Sequence, residues 1–394
     1  MRTRFAFHIS RLLLLAASAG LVLAGCGGSG QGEPPLSPVA ALGKKAFHDP
    51  TLSASGQVSC ASCHAPEAGH AAPNARAVQP GGAAMDREGL RSSPSLRYLA
   101  GNGSFHFDAD DTPTGGFFWD GRAASLAEQA GAPLLNPLEM ANADKAAVVA
   151  SMTRAAWAGE FKAVYGQDIL DQVDLAFDKL TQSLQQFQLE DAAFHAYSSK
   201  YDAVLERRAV LTQQEARGLA LFNDPDKGNC AGCHPSDKAA DGSHPLFTDF
   251  TYDNLGVPRN GELRANADPS YFDLGLCGRA DLADRTDLCG AFKVPSLRNV
   301  ALRQSYFHNG RFKTLKDALT FYVQRDTHPE KWYPRAGDGT VMKFDDLPAP
   351  WHGNVNTAEA PYDRRPGDAP ALSDAEIDDV IAFLRTLTDG WRGD

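Results

Sequence analysis

The sequence predicts a mainly helical protein built from two similar halves with long loops. Three observations carry that expectation. The motif C-x-x-C-H occurs twice, at Cys60–His64 and at Cys230–His234, 170 residues apart. Each copy follows a short amphipathic segment ending in Phe, and each half closes on a further segment of helical apolar period. Few runs show the alternation of a half-buried strand.

The elements follow in order. Ala40–Phe47 is the helix expected before the first motif. Leu175, Leu180, Leu184 and Phe187 mark the helix that closes the first half. Leu211–Phe222 is the helix before the second motif, with Thr212 and Glu215 in the pattern of a capping box. Ile377, Val380, Ile381, Leu384 and Leu387 follow i, i+3, i+4, i+7, i+10 spacing, and Ser373 with Glu376 caps that last helix. The halves are expected to join near residues 198–210.

The 394 residues carry 38 Lys+Arg against 49 Asp+Glu, a formal charge of −11. An acidic chain argues against nucleic acid or anionic lipid as the main partner, because both need clustered cations. Hydrophobic residues at 43% and charged residues at 22% exclude a disordered, collagen-like or multi-span chain. Arg2, Arg4 and Arg11 precede or open an apolar run of 14 residues, Leu12–Gly25, too short to span a membrane and of the kind found in signal peptides. Leu23-Ala24-Gly25-Cys26 looks like a bacterial lipobox, with Cys26 the lipidated first residue of the mature chain. The alternative is ordinary secretion with an incidental Cys. Losing residues 1–25 removes three arginines and no acids, leaving −14. Residues 26–38 then form a flexible tether. The expected location is the periplasm, with membrane contact through the lipid anchor only, and Gly27 after the Cys points to the outer membrane. That compartment is oxidising.

In an exported chain, two C-x-x-C-H copies carry a chemical meaning. Two thiols three positions apart bond the two vinyl groups of a haem, and the adjacent His faces the iron. Cys60, Cys63 and His64 are the expected attachment site of one haem c, and Cys230, Cys233 and His234 that of a second. A zinc or redox pair explains one copy but not two. A helix before and a helix after each haem is the plan of a class I cytochrome c. Two such domains are therefore expected, at residues 39–205 and 206–394. Cys277 and Cys289 sit in a polar loop and are expected to form a disulfide, a redox-active pair being the alternative.

Phe117–Arg122, Gln129 with Asn136–Met140, Phe292–Asn299 and Tyr306–Gly310 extend the pattern well beyond the haem motifs. On these stretches the chain resembles the bacterial di-haem cytochrome c peroxidase and MauG superfamily from about Leu42 to Leu387. The resemblance implies an N-terminal haem that meets H2O2 and a C-terminal haem that exchanges electrons. In the peroxidase branch a Met lies fourteen residues after the position of His308 and ligates the second iron. Here that place is Tyr322, and the nearest downstream Met is Met342. This is similar to MauG, where Tyr is the ligand, and an anionic oxygen lowers the reduction potential and favours high-valent iron. The alternative is a core aromatic on a helix.

The same resemblance places Gln129, Pro133 and Glu139 on the distal face of the first haem. Glu139 is the implied acid/base and Gln129 the group that positions peroxide. Trp119 is the implied bridge between the haems, and its alternative is a core Trp. The peroxidases' distal His is missing: His70 stands too close to His64, and Met85 in the appropriate loop is the weaker candidate ligand, so an open five-coordinate haem is expected. His308 is expected to be structural or a partner of a haem propionate. Calcium between the domains is common in the family, but Ser92, Arg303 and Ser305 replace its usual partners here, which leaves that ion open.

The implied function is an H2O2-dependent oxidase that forms a paired Fe(IV) state and oxidises an aromatic residue of a periplasmic protein. The stretch Tyr322–Pro334 looks like the MbnH enzymes, which convert a Trp of the copper-binding protein MbnP to kynurenine. Two other functions compete. One is a cytochrome c peroxidase fed by a small cytochrome or cupredoxin. The other is a non-enzymatic electron carrier with two six-coordinate haems.

Overall fold

The computed structural model describes residues 34–393. The expected signal peptide, Cys26 and most of the expected tether lie outside the described residues. Ten α-helices carry the described chain. They are α1 Pro38–Phe47, α2 Cys60–Cys63, α3 Leu126–Leu135, α4 Lys145–Arg154, α5 Ala158–Tyr165, α6 Val173–Glu190, α7 Lys200–Leu205, α8 Gln213–Asn223, α9 Leu315–Gln324 and α10 Asp374–Arg385. Sheet among the described residues is confined to three antiparallel pairs, each strand two residues long: Pro80–Gly81 with Arg87–Glu88, His106–Phe107 with Pro113–Thr114, and Tyr252–Asp253 with Phe292–Lys293. The fold is mainly helical with long loops, as the patterning implied. Among these residues no helix is long and apolar enough to cross a membrane.

The caps act where the sequence put them. Thr212 Oγ1 accepts from the Glu215 N–H, and Glu215 Oε2 accepts from the Thr212 N–H at 2.7 Å. Ser373 and Glu376 repeat the exchange at the start of α10. Such reciprocal caps satisfy amide groups that a helix leaves free at its N-terminus. Helix α1 begins at Pro38, capped by Ser37 from within the expected tether, and the Ser37 N–H donates to Glu190 at 2.8 Å.

One helix crossing occurs twice. Helix α1 lies against α6, and a Cβ added at Gly43 would stand 1.9 Å from Ser183 O and 2.9 Å from Phe187 Cβ. Helix α8 lies against α10, and a Cβ at Gly218 would stand 2.0 Å from Asp379 O and 2.9 Å from Phe383 Cβ. Only glycine permits either approach. Phe47 and Phe222, at the ends of α1 and α8, are buried beside Phe187 and Phe383 at ring distances of 5.5 and 5.2 Å. Each C-x-x-C-H motif follows its crossing in the chain.

Two hydrophobic cores result. The first gathers Phe47, Phe161, Leu180, Leu184 and Phe187, and the second gathers Phe222, Phe247, Phe321, Ile377 and Leu384. Leu175 was expected on the buried face of α6 but is 41% exposed. Ala176 and Phe177 take that place, because the apolar stripe is set by Leu180, Leu184 and Phe187 at one-turn steps. The expected joining segment contains α7, whose Tyr201 packs on Phe247 and Phe383 of the second core.

Gly218→Ala is expected to lower stability by about 1–3 kcal/mol through overpacking. Gly159→Ala, on α5 with nothing within 4 Å of the new Cβ, is expected to raise it by up to about 1 kcal/mol. Denaturant midpoints of the two variants check both signs.

Candidate active site

Helix α2 holds the first cysteine pair, and His64 caps its end. His64 Nδ1 lies 3.0 Å from Pro94 O and 3.2 Å from His70 O. His234 Nδ1 lies 2.7 Å from Phe247 O. A ring nitrogen that faces a carbonyl carries the proton, so Nε2 of each ring keeps its lone pair. Burial pulls the His64 ring down to about 4 and lowers His234 from its ordinary value. Both rings are neutral donors near pH 7, in the arrangement of metal-ligating imidazoles.

Cys60, Cys63, Cys230 and Cys233 are unpaired thiols. Burial pushes each of them up to about 12, so they are held as S–H groups. Cys277 and Cys289 differ: they are joined in a disulfide with a Cα–Cα distance of 4.8 Å.

A cavity of about 260 Å³ opens beside the second motif. Cys230, Cys233, His234, Tyr322, Trp119 and Gln129 all line it. Paired thiols, a neutral imidazole with a free nitrogen and a phenol in one largely apolar cavity fit a covalently attached haem. Tyr322 comes from α9, capped by Thr314, and packs against Phe307 and Tyr362 at ring distances of 5.4 and 5.9 Å. Burial, with Cys230 and Asp253 nearby, raises its phenol well above the ordinary value. A ferric ion at this place is the kind of charge that would hold it as phenolate instead. Met342 is 48% exposed and does not line the cavity.

Trp119 is pinned from two sides. Its Nε1–H donates to Ser92 O at 2.8 Å, and its carbonyl accepts from the Lys293 N–H at 2.9 Å. The adjacent Asp120 takes Arg91 at 2.6 Å, and Arg91 also grips Asp273 at 2.6 Å.

Glu139 lies in the turn after α3, where Asn136 Oδ1 accepts from the Leu138 N–H and Asn136 O accepts from the Glu139 N–H. The Pro80–Gly81 strand crosses this turn so closely that a Cβ at Gly81 would meet Glu139 O at 2.7 Å. Burial raises the Glu139 carboxyl, against the pull of Arg122 and Asn136, and its charge is felt at Cys63. Gln129 is buried on α3, and Pro133 sits inside the same helix, where its missing N–H leaves the Gln129 carbonyl without its usual partner.

The remaining candidates have structural surroundings. Met85 packs on the first core at the tip of the Pro80–Glu88 hairpin. His70 is buried, stacked on Phe194 at 4.1 Å, and its Nδ1 accepts from Arg97. His308 stacks on Phe292 at 3.6 Å and lines the cavity. Where the resemblance placed calcium, Ser92 Oγ meets Ser305 Oγ at 3.0 Å, and the Arg303 guanidinium donates to Ser93 O at 3.3 Å.

Sequence reasoning passed over the groups that brace His234. Arg298 Nε donates to Pro245 O at 2.8 Å, two residues before the Phe247 carbonyl that orients the ring. Its other nitrogens grip Asp202 at 2.8 and 3.0 Å, with both side chains fully buried. Arg298 within the Phe292–Asn299 stretch was the available signal. Asp202, 96 positions away, gave none.

The fold and the site define a di-haem oxidoreductase. The chain belongs to the di-haem cytochrome c peroxidase and MauG family, matching the di-haem cytochrome c peroxidase family over residues 37–209. It is 37% identical over 388 residues to the methylamine utilization protein MauG of Paracoccus denitrificans, covering 96% of this chain and 95% of that one. It is similar to the crystal structure of the diheme peroxidase BthA from Burkholderia thailandensis, with 42% identity, a TM-score of 0.82, and 90% and 87% of the two chains covered. A MauG-like protein associated with microbial copper homeostasis shares 26% identity at a TM-score of 0.63, over 90% and 91% of the chains.

Arg298→Met is expected to destabilise the fold by about 3–5 kcal/mol, because it takes the guanidinium from the buried Asp202 carboxylate and leaves it to Ser199 and His244. Arg298 holds that carboxyl well below its usual range. Its contribution is complete above the unfolded value of about 3.9 and fades only as pH falls towards the folded one. Acid-unfolding curves of the variant should lose that low-pH reserve.

Proposed function

We propose that this chain carries two covalent haems c, in class I cytochrome c-like domains at residues 39–205 and 206–394, and uses H2O2 to oxidise an aromatic side chain of a periplasmic protein. The observation that carries this reading is Tyr322: it lines the same cavity as Cys230, Cys233 and His234, while Met342 lies exposed elsewhere. His64 and His234 would hold the irons, and Tyr322 would cap the second. Bound haem supplies a coordination position for peroxide and accepts electrons one at a time.

The chain's own residues supply the rest. Glu139 takes a proton from one peroxide oxygen and delivers it to the other as the O–O bond breaks. Its raised pKa lets it hold that proton between the two events. Gln129 lines the cavity that also holds Trp119, and the family resemblance assigns its amide to orienting the peroxide. Trp119, held by Ser92 and by the Lys293 backbone, gives a rigid indole for electron passage. Reduction of H2O2 to two waters consumes two electrons and two protons, and the protein substrate supplies the electrons.

The resemblance of Tyr322–Pro334 to MbnH supports a narrower form, in which a Trp of a copper-binding partner such as MbnP becomes kynurenine over two turnovers of H2O2, one carbon leaving as formate on hydrolysis. The neighbour associated with copper homeostasis agrees with that form. The Arg303 guanidinium at Ser93 O disfavours a cation there, and calcium stays an open part of the proposal. A lipid anchor on Cys26 in the outer membrane completes the proposal.

EPR of the ferric protein is expected to show one high-spin and one low-spin haem; two low-spin signals return the chain to plain electron transfer. Tyr322→Met is expected to change the low-spin signal and to abolish oxidation of a protein substrate while H2O2 reduction persists. An unchanged signal removes Tyr322 as a ligand. Glu139→Gln is expected to slow reaction with peroxide by about 10²–10⁴-fold, measured by stopped-flow absorbance. The acid limb of the wild-type pH profile should lie above the ordinary Glu range, in keeping with the raised carboxyl, and should vanish in the variant.

A further inference from the structure

Two cations line the cavity without a carboxylate partner among the described residues. Arg303 donates from Nε to Ser305 O at 3.2 Å and from Nη2 to Ser93 O at 3.3 Å and Ser92 Oγ at 3.5 Å. Every one of these acceptors is neutral. Lys293 Nζ donates to Gly115 O and, at 3.4 Å, to Phe250 O, and stands 4.4 Å from the centre of the Tyr252 ring. Asp249 and Asp120 act on it only from a distance. Other enclosed cations among the described residues are matched, as Arg91 is by Asp120 and Asp273, Arg298 by Asp202 and Arg325 by Asp326.

An enclosed cation without an anion is costly, and burial accordingly pulls Lys293 down to about 7 and Arg303 to about 10. Their shared feature is the cavity wall, which also carries Cys230, Cys233 and His234. A haem attached there brings two carboxylate side chains into a space that offers these two cations. We propose that Arg303 and Lys293 are the positioning residues that receive the carboxylates of the haem held by Cys230, Cys233 and His234. This rests on the haem assignment above.

The consequence is electrostatic. A fixed positive charge beside a haem favours the added electron and raises its reduction potential. Removing the charge uncovers a carboxylate and lowers the potential further.

The test is a spectroelectrochemical titration of the holoprotein. Arg303→Gln and Lys293→Gln are each expected to shift the midpoint of the His234-held haem to lower potential. Arg303→Lys and Lys293→Arg are expected to return it towards the wild-type value, which a purely structural role would not require. The charge-retaining pair keeps the test open if a Gln variant does not fold. Unmoved potentials in folded Gln variants that keep both haems overturn the proposal. The mass of the denatured wild-type chain tests the underlying assignment separately: a chain without two retained haems overturns both.

Discussion

The site depends on two short hydrogen bonds from imidazole to backbone. Pro94 O fixes His64, and Phe247 O fixes His234. Each bond settles which nitrogen bears the proton and which way the other points. Neither carbonyl belongs to the C-x-x-C-H motif. Pro94 follows Ser92 and Ser93, which are tied to Ser305 and Arg303. Phe247 follows Pro245, which Arg298 holds while anchored on Asp202. The orientation of a candidate ligand therefore rests on tertiary pairs remote in sequence, and a loose pair would turn the ring away from its metal.

The repeated helix crossing makes the two halves comparable, and the differences around the motifs then stand out. Gly43 with Phe47 and Gly218 with Phe222 build the same support. Around the first motif, a buried carboxyl stands in a turn stiffened by Asn136 and crossed by a hairpin. Around the second, the surroundings are phenols: Tyr322 with Tyr362 packed against it, and Arg325 4.5 Å from the Tyr362 ring. A carboxyl of raised pKa suits proton movement, and a phenol suits ligation or electron exchange. The same scaffold thus offers two unlike environments.

Much of this was legible in the chain. The cap pairs Thr212–Glu215 and Ser373–Glu376, the apolar steps of α10 and the doubled motif are local signals, and local signals survive in sequence. Leu175 misled because an apolar residue at the first turn of a helix fits the period without facing the core. Helix α3 was obscured by Pro133 in its interior. The buried pair Asp202–Arg298 and the unpaired cations Arg303 and Lys293 were invisible for a different reason. A charge reads as surface until its partner, or the lack of one, is located in space.

The joint between the halves is held by charge-assisted bonds. Arg91 holds Asp120, next to Trp119, and reaches across to Asp273. Asp389 accepts from Tyr98 at 2.6 Å, Asn299 at 2.7 Å and Arg97 at 3.1 Å, joining the chain's last segment to both motifs' surroundings. Trp119 is fixed through its indole to one half and through its carbonyl to the other. Electron passage falls off steeply with separation, so two redox centres work together only if their spacing does not fluctuate. For the two haems proposed above, a network of charge-assisted bonds around a doubly anchored indole would meet that need. It also explains why the polar groups of this joint are buried in a place where apolar packing alone would hold the halves together but would not fix their spacing.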